Sequence, residues 1–207
     1  LSDFSPRDAG RETTTVTVGM VACLKPQKAP LDFVRVAAAV VRKAAVPVRF
    51  VLAGDGELRP EVERMIREER LADHVELAGW RRDIPEVMRG FDLLLHTSHW
   101  EGLPRVFPEA MASGLPIVAT NVDGAPEAVH EGVTGHLLAP GDVEGLARRT
   151  LELVHDPERR RRMGGEARRR TAPWDIDEMV RRQERLYEGL MAGETIRAVA
   201  LTTQMEN

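Results

Sequence analysis

The chain has 207 residues, 43% hydrophobic and 30% charged, with 29 Lys and Arg against 33 Asp and Glu. That length can bury a core without covalent staples and fits one domain with a helical appendage. A net charge of −4 and an aromatic content of 4% argue against a dedicated nucleic-acid binder, which needs a basic footprint or a stacking platform.

In chain order, Leu1 to Thr15 is polar and broken by Pro6 and Gly10, so it is read as an irregular lead-in. TVTVGMVACL is apolar and β-branched without helical period, which predicts a buried strand. After the loop KPQKAP, Pro30 can open a helix. Leu31, Val34, Ala37, Val41 and Ala45 then form one apolar stripe, which predicts a helix over Leu31–Ala45. The cycle repeats, with VRFVLAG as a strand, Leu58–Arg70 as a helix and HVELAG as a strand. Ile84–Arg89 follows as a short helix and FDLLLHTS as a strand. Val106–Ser113 is a helix stopped by Gly114 and Pro116, LPIVAT a strand, Pro126–Glu131 one or two helical turns and GHLLAP the last strand. From Asp142 onward the pattern is helical, over Glu144–Val154, Pro157–Thr171 and Asp175–Leu190. Strands alternating with helices predict an α/β, Rossmann-like parallel sheet of about six strands covered on both faces, with a helical C-terminal extension. The boundaries are a lead-in over 1–15, the main domain over 16–172, a helix within 173–192 and a tail over 193–207 with no strong period, expected to be mobile.

One cysteine leaves no intramolecular disulfide and no multi-Cys zinc site, and points to a reducing compartment. No apolar run approaches the roughly 20 residues that span a bilayer. The start lacks the basic-then-apolar order of a secretory signal. The expected location is therefore cytoplasmic.

In open parallel sheets, ligands sit beyond the carboxyl ends of the strands where the strand order reverses. The chemistry is therefore sought in the loops there, and HWEGLPRVFPEAMASGLP is the most informative. Glu101 and Glu109 stand with seven residues between them, the first in a loop after a strand and the second about one turn into a helix. Between them, the N–H groups around Arg105, Val106 and Phe107 are unpaired donors of a helix start, suited to phosphate oxygens. A carboxylate accepts two hydrogen bonds from vicinal hydroxyls, so this segment has the parts that a sugar nucleotide requires. The plainer reading makes Glu109 a first-turn acid favouring the helix dipole and Glu101 a solvated loop residue. Lys25 and Lys28 could neutralise a diphosphate, or be surface lysines in a turn. Gly54-Asp55-Gly56 allows close approach of a backbone to a ligand, and fits a simple turn equally well.

Taken in order, VACLKPQKAPLDF, LAGDGEL, VELAGW, SHWEGLPRVFPEAMASGLPIVATNVDGAPEAV and GVTGHLLAPGD resemble the motif series of the GT-B glycosyltransferases of the retaining, glycogen-synthase-like superfamily (glycosyl transferases group 1). The resemblance runs from about Thr17 to Asp142, with a weaker helical echo to Tyr187. It implies a domain that binds a UDP-, GDP- or ADP-sugar as donor, with no metal or other cofactor, and sugar transfer with retention. Residue by residue, it implies that Lys28 contacts the donor diphosphate, that Glu101, the catalytic residue, is the acid beside the donor sugar, and that Glu109 clasps the ribose diol. Gly102, Leu103, Pro104, Arg105, Val106 and Phe107 supply backbone for sugar hydroxyls and phosphate. Gly54 lies near the donor, and Gly79, Trp80 and Arg81 border the nucleobase.

One position departs from that pattern. The family pairs its lysine with an arginine in a V-A-R-L-like run, and Cys23 stands there, so Lys25 or Arg105 substitutes or diphosphate binding is weakened. Cys23 itself is read as a small buried strand-end residue rather than a nucleophile. His96 and His99 are not expected to share a metal, because strand positions three apart point to opposite faces. Glu127 and His130 are read as part of a capped short helix. No GxGxxG, P-loop or GxSxG occurs, which lowers dehydrogenase, NTPase and hydrolase readings. RRRRMGGEARRR is read as a solvated helix face, the alternative being peripheral contact with an anionic membrane.

The resemblance also implies a missing partner, the N-terminal acceptor-binding domain. LSDFSP is similar to the stretch after the interdomain hinge, and Asp175–Leu190 to the helix that crosses back toward that domain. The expected function is the donor-binding half of a glycosyltransferase that binds donor but does not transfer alone. Two other readings stand beside it, a non-catalytic sugar-nucleotide-binding domain and an epimerase or hydrolase using the two carboxylates.

Overall fold

The structure, a computed structural model, describes residues 1–7 and 14–193. The expectation of a mobile tail falls, Gly193 apart, outside the described residues. The apolar runs form six strands, β1 (Val16–Val21), β2 (Val48–Ala53), β3 (Val75–Gly79), β4 (Leu93–His96), β5 (Ile117–Thr120) and β6 (Gly135–Leu138). They make one sheet in the order β3-β2-β1-β4-β5-β6 with every pairing parallel. The helices are α1 (Pro30–Val41), α2 (Arg59–Glu68), α3 (Ile84–Arg89), α4 (Val106–Ala112), α5 (Ala125–Ala128), α6 (Val143–His155), α7 (Pro157–Arg169) and α8 (Ile176–Met191).

Continuous apolar runs follow from a sheet covered on both faces, because alternate side chains then enter two different cores. Val18, Met20, Leu93, Leu95 and Val118 meet α1, α2 and α6 on one side. Leu94, Ile117 and Ala119 meet α3, α4 and α5 on the other. Phe33 of α1 packs edge-on against Phe50 of β2, with ring centroids 5.6 Å apart.

Several elements are shorter than the sequence pattern predicts. β4 stops at His96 rather than Ser98, because the Thr97 hydroxyl lies 3.0 Å from both the Lys28 and the Ala29 carbonyl and so turns the chain out of the ladder. α1 ends at Val41 rather than Ala45, where the N–H groups of Lys43 and Ala44 both close on the Val40 carbonyl. Pro47 then favours extended backbone at Val46. Asp142, Asp156 and Asp175 cap α6, α7 and α8, each accepting from an N–H of the first turn.

The arginine-rich helix α7 is only partly the solvated face that its sequence predicts. Arg160 donates to the carbonyls of Leu153 and Val154, where α6 ends, and Arg168 to that of Ala112 at the end of α4. The glycine pair explains how α7 comes so close. A Cβ on Gly164 would lie 1.9 Å from the carbonyl oxygen of Gly114, whereas the nearest atom to one on Gly165 is the flexible end of Arg169, 3.9 Å away. Gly164→Ala is therefore expected to cost about 1–3 kcal/mol through overpacking. Gly165→Ala should be neutral or stabilising by up to about 1 kcal/mol through helix propensity. Thermal melts of the two variants side by side check this, and equal melting temperatures would be the contrary result.

Candidate active site

The strand order reverses between β1 and β4, and a cavity of about 530 Å³ lies where these strands and β2 end. Its volume is within the range of small-molecule sites. The ends of β1 and β2 line it from Val21 to Cys23 and from Ala53 to Gly54. Gly54 has φ +147°, and a Cβ there would lie 1.9 Å from the Ala22 carbonyl oxygen. A side chain at position 54 would force the exits of β1 and β2 apart.

Lys28 ends a 3-10 turn, Pro26–Lys28, which is held against the loop after β4. His99 N–H donates to the Gln27 carbonyl at 2.8 Å, and the Gln27 side chain returns a bond to the Trp100 carbonyl at 3.0 Å. With the two bonds of Thr97, these contacts fix Lys28 next to Glu101. Asp123, in the loop after β5, accepts from the Glu101 N–H at 2.6 Å and closes the other side. Ala29 and Asp123 both have positive φ, 44° and 41°. Backbone strain of this kind persists where surrounding contacts over-determine it.

Three donors meet one oxygen of Glu101. Lys28 Nζ lies 2.5 Å, Ser98 Oγ 2.6 Å and His96 Nε2 2.9 Å from Oε1. Burial alone would raise this carboxyl, but the bonds from His96, Lys28 and Ser98 outweigh it and take Glu101 from its ordinary 4.5 to about 2. Glu109 behaves in the opposite way. Burial raises its pKa, and Arg105, 4.0 Å away with its side chain almost fully in solvent, offsets this only in part. The cavity thus holds one carboxylate pinned in its charged form and one that is costly to ionise.

The sequence matches the glycosyl transferases group 1 family over residues 2–170. The chain belongs to that family. It is 30% identical over 156 residues, 74% of this chain and 40% of the relative, to the UDP-Gal:alpha-D-GlcNAc-diphosphoundecaprenol alpha-1,3-galactosyltransferase of Escherichia coli. It is 34% identical over 137 residues, 66% of this chain and 35% of the relative, to the N-acetyl-alpha-D-glucosaminyl L-malate synthase of Bacillus anthracis. Among solved structures, Anabaena HepE in complex with UDP superposes with a TM-score of 0.76 at 29% identity, covering 86% of this chain and 49% of that one. The chain spans less than half the length of these relatives.

Within this group 1 domain, ten of the residues singled out from the sequence line the one cavity. They are Lys28 after β1, Gly54 after β2, Trp80 and Arg81 after β3, and Glu101, Leu103, Pro104, Arg105, Val106 and Glu109 from the loop after β4 and the start of α4. Trp80 is largely exposed, and Arg81 is paired with Asp83. Gly79, with φ +65°, turns the chain just ahead of Trp80 without lining the cavity. Gly102 is also outside it, its carbonyl accepting from the Gly124 N–H at 3.0 Å.

Two expectations need correction. Phe107 is not a free phosphate donor: its N–H is taken by the Pro104 carbonyl at 3.0 Å and its ring is fully buried. This follows from the tight turn that starts α4, which pairs the third N–H internally. Cys23 is exposed and lines the cavity rather than being buried, because β1 ends two residues earlier at Val21. Of the two basic residues considered as substitutes for the arginine missing there, Arg105 lines the cavity and Lys25 does not.

Sequence reasoning weighed His96 only as a metal ligand and did not single out Ser98, yet both are functional candidates at this site. The available signal was a polar pair ending an apolar strand just before an acid, since buried polar groups need partners. His99 is exposed, with its ring stacked beside that of Trp100. Glu127 and His130 do not line the cavity. No group of three or more His, Cys, Asp or Glu side chains among the described residues could hold a metal ion. No helix among them is long and apolar enough to cross a membrane.

Proposed function

We propose that this chain is the donor-binding half of a retaining glycosyltransferase, with a nucleoside diphosphate sugar lying in the cavity between β1 and β4. The observation that carries this reading is the convergence of Lys28, Arg105, Glu101 and Glu109 on that cavity in a member of the family. The nucleobase lies toward Trp80 and Arg81, the ribose diol on Glu109, and the diphosphate between Lys28 and Arg105, with Arg105 supplying the charge absent at Cys23. The sugar sits against Glu101 and the Gly102–Pro104 backbone.

In the reaction, the bond from the anomeric carbon to the diphosphate breaks and its electron pair leaves with the phosphate. Lys28 and Arg105 stabilise that developing charge, which is greatest in the transition state. Glu101 holds the sugar so that the acceptor oxygen attacks from the retained face and passes its proton to the departing phosphate oxygen, and the gain comes from positioning and leaving-group electrostatics. Acceptor binding belongs to an N-terminal domain. The helix α8 suits a role in docking against it, since it buries none of its own residues and exposes Ile176, Met179, Val180 and Tyr187.

Calorimetry with UDP, GDP, ADP and their sugar conjugates tests the reading. One nucleotide is expected to bind at micromolar to low-millimolar Kd and its sugar conjugate more tightly, with no transfer to acceptor by this chain alone. Indifference to all of them would refute donor binding, and transfer by the chain alone would refute its being half of an enzyme.

A further inference from the structure

His96 is one of the most buried polar side chains in the domain, at 1% exposure, and the reading above gives it no task. It ends a strand whose three preceding residues are leucines, and its ring packs edge-on against Phe107 with centroids 5.1 Å apart. A leucine there would finish the strand without burying a polar ring. His96 also carries an uncompensated cost, because its Nδ1 is buried with no hydrogen-bond partner among the described residues. A buried group with one nitrogen orphaned is explained by what its other nitrogen does.

That nitrogen, Nε2, lies 2.9 Å from Glu101 Oε1 and 2.9 Å from Ser98 Oγ. A carboxylate accepts only, so the Nε2 of a neutral ring carries the hydrogen and Nδ1 the lone pair. Burial favours the neutral ring, pushing the His96 pKa down against the pull of Glu101. Lys28, across the carboxylate, pushes it the same way. His96 and Ser98 both grip Oε1, while Oε2 makes no hydrogen bond among the described residues.

We propose that His96 is a positioning residue for the donor sugar: with Ser98 it locks Oε1 of Glu101, so that Oε2 is the acceptor presented to a sugar hydroxyl. The division of labour follows from mobility. Lys28 is the one long, flexible donor on Oε1, and a bound diphosphate competes for its charge. His96 and Ser98 stand on rigid backbone at a strand end, and keep Glu101 in place when Lys28 turns to the phosphates.

The inference rests on the donor-binding reading, and one experiment separates the two. UDP, GDP and ADP are titrated calorimetrically against UDP-glucose, GDP-mannose and ADP-glucose, with wild type, His96→Phe and His96→Gln. Phe keeps the ring and its packing but donates nothing, whereas the Gln amide can donate to Oε1. His96→Phe is expected to leave nucleotide affinity within about twofold and to remove about tenfold of the added affinity due to the sugar, and His96→Gln to restore most of it. If His96→Phe keeps the sugar increment, weakens nucleotide and conjugate by the same factor, or matches His96→Gln, the positioning role is overturned while donor binding stands. If wild type binds no nucleotide, or gains nothing from the sugar, both readings fall. Should His96→Phe not fold, Ser98→Ala carries the test, with about threefold of the sugar increment lost at unchanged nucleotide affinity. No loss there would be equally decisive against the proposal.

Discussion

In the two-domain enzyme proposed above, Glu101→Gln is expected to lower the rate of sugar transfer by about 10²–10³-fold while nucleotide affinity changes by less than about threefold. The substitution keeps the volume of a side chain that is only 6% exposed, so packing is not what fails. Its amide can be placed in two ways. With its carbonyl toward Lys28, His96 and Ser98, its NH₂ replaces Oε2 and offers the sugar a donor instead of an acceptor. Reversed, its NH₂ faces three donors at once. Neither placement holds the sugar as the carboxylate does. The cost to folding should be about 1–3 kcal/mol, below that of breaking a fully sealed ion pair, because Lys28 is 20% exposed and can turn to water. The pH dependence follows from the same contacts. A carboxyl held at about 2 rather than 4.5 contributes stability that is complete above 4.5 and is lost as the pH falls toward 2. Glu101 therefore leaves no inflection in a rate profile between about pH 5 and 8. Steady-state kinetics on wild type and variant, with product nucleotide as the inhibitor, measure both quantities. A parallel loss of transfer and nucleotide affinity would contradict the role assigned to Glu101.

How far the sequence reaches differs between the fold and the site. The order of strands and helices was legible because the strands are short, mainly apolar runs without helical period, most of them beginning or ending at glycine or proline. Nothing in the pattern distinguishes the last ladder residue from the first loop residue, and so the pattern alone extends β4 to Ser98 and α1 to Ala45. Their ends are set by contacts distant in sequence, such as Thr97 with the Lys28 and Ala29 carbonyls. The two acids were legible from their spacing around a helix start. Their opposite electrostatics were not, since the difference lies in which donors reach each one. Glu101 receives His96, Ser98 and Lys28, the last from 73 positions away, whereas Glu109 receives a single solvent-exposed arginine at 4.0 Å. The misreadings of Cys23 and Phe107 share a cause. Residue type gives an average burial, but a shift of two residues in where a strand ends, or one tight turn, reverses it for the individual side chain.

Glu109→Gln should leave the fold as stable as wild type or more so, while weakening nucleotide binding by about tenfold or more. Burial raises the Glu109 carboxyl above its ordinary 4.5. The folded state then holds the proton more tightly than the unfolded chain does. Its contribution to stability is full at low pH and declines as the pH rises through the folded pKa, so at neutral pH the ionised group is a burden. Glutamine removes that burden at nearly constant volume. The same change harms the ligand, because a carboxylate can accept from both hydroxyls of a ribose, whereas the amide offers one carbonyl oxygen and turns its NH₂ toward the other hydroxyl. A hydrogen bond to a charged partner is worth about 1.5–3 kcal/mol, which is roughly ten- to hundredfold in Kd. Thermal melts without ligand and calorimetry with UDP and 2′-deoxy-UDP separate the two effects. Wild type should prefer the ribonucleotide, and the variant should lose that preference. Wild-type affinity should also fall on acidification toward the Glu109 pKa, with the variant as the control that removes this dependence from the titration of the phosphates. A destabilised variant that still discriminates ribose from deoxyribose would make Glu109 a structural acid at a helix start. A stabilised variant blind to the 2′-hydroxyl would show that the domain keeps a charge its fold would be better without, because the ligand requires it.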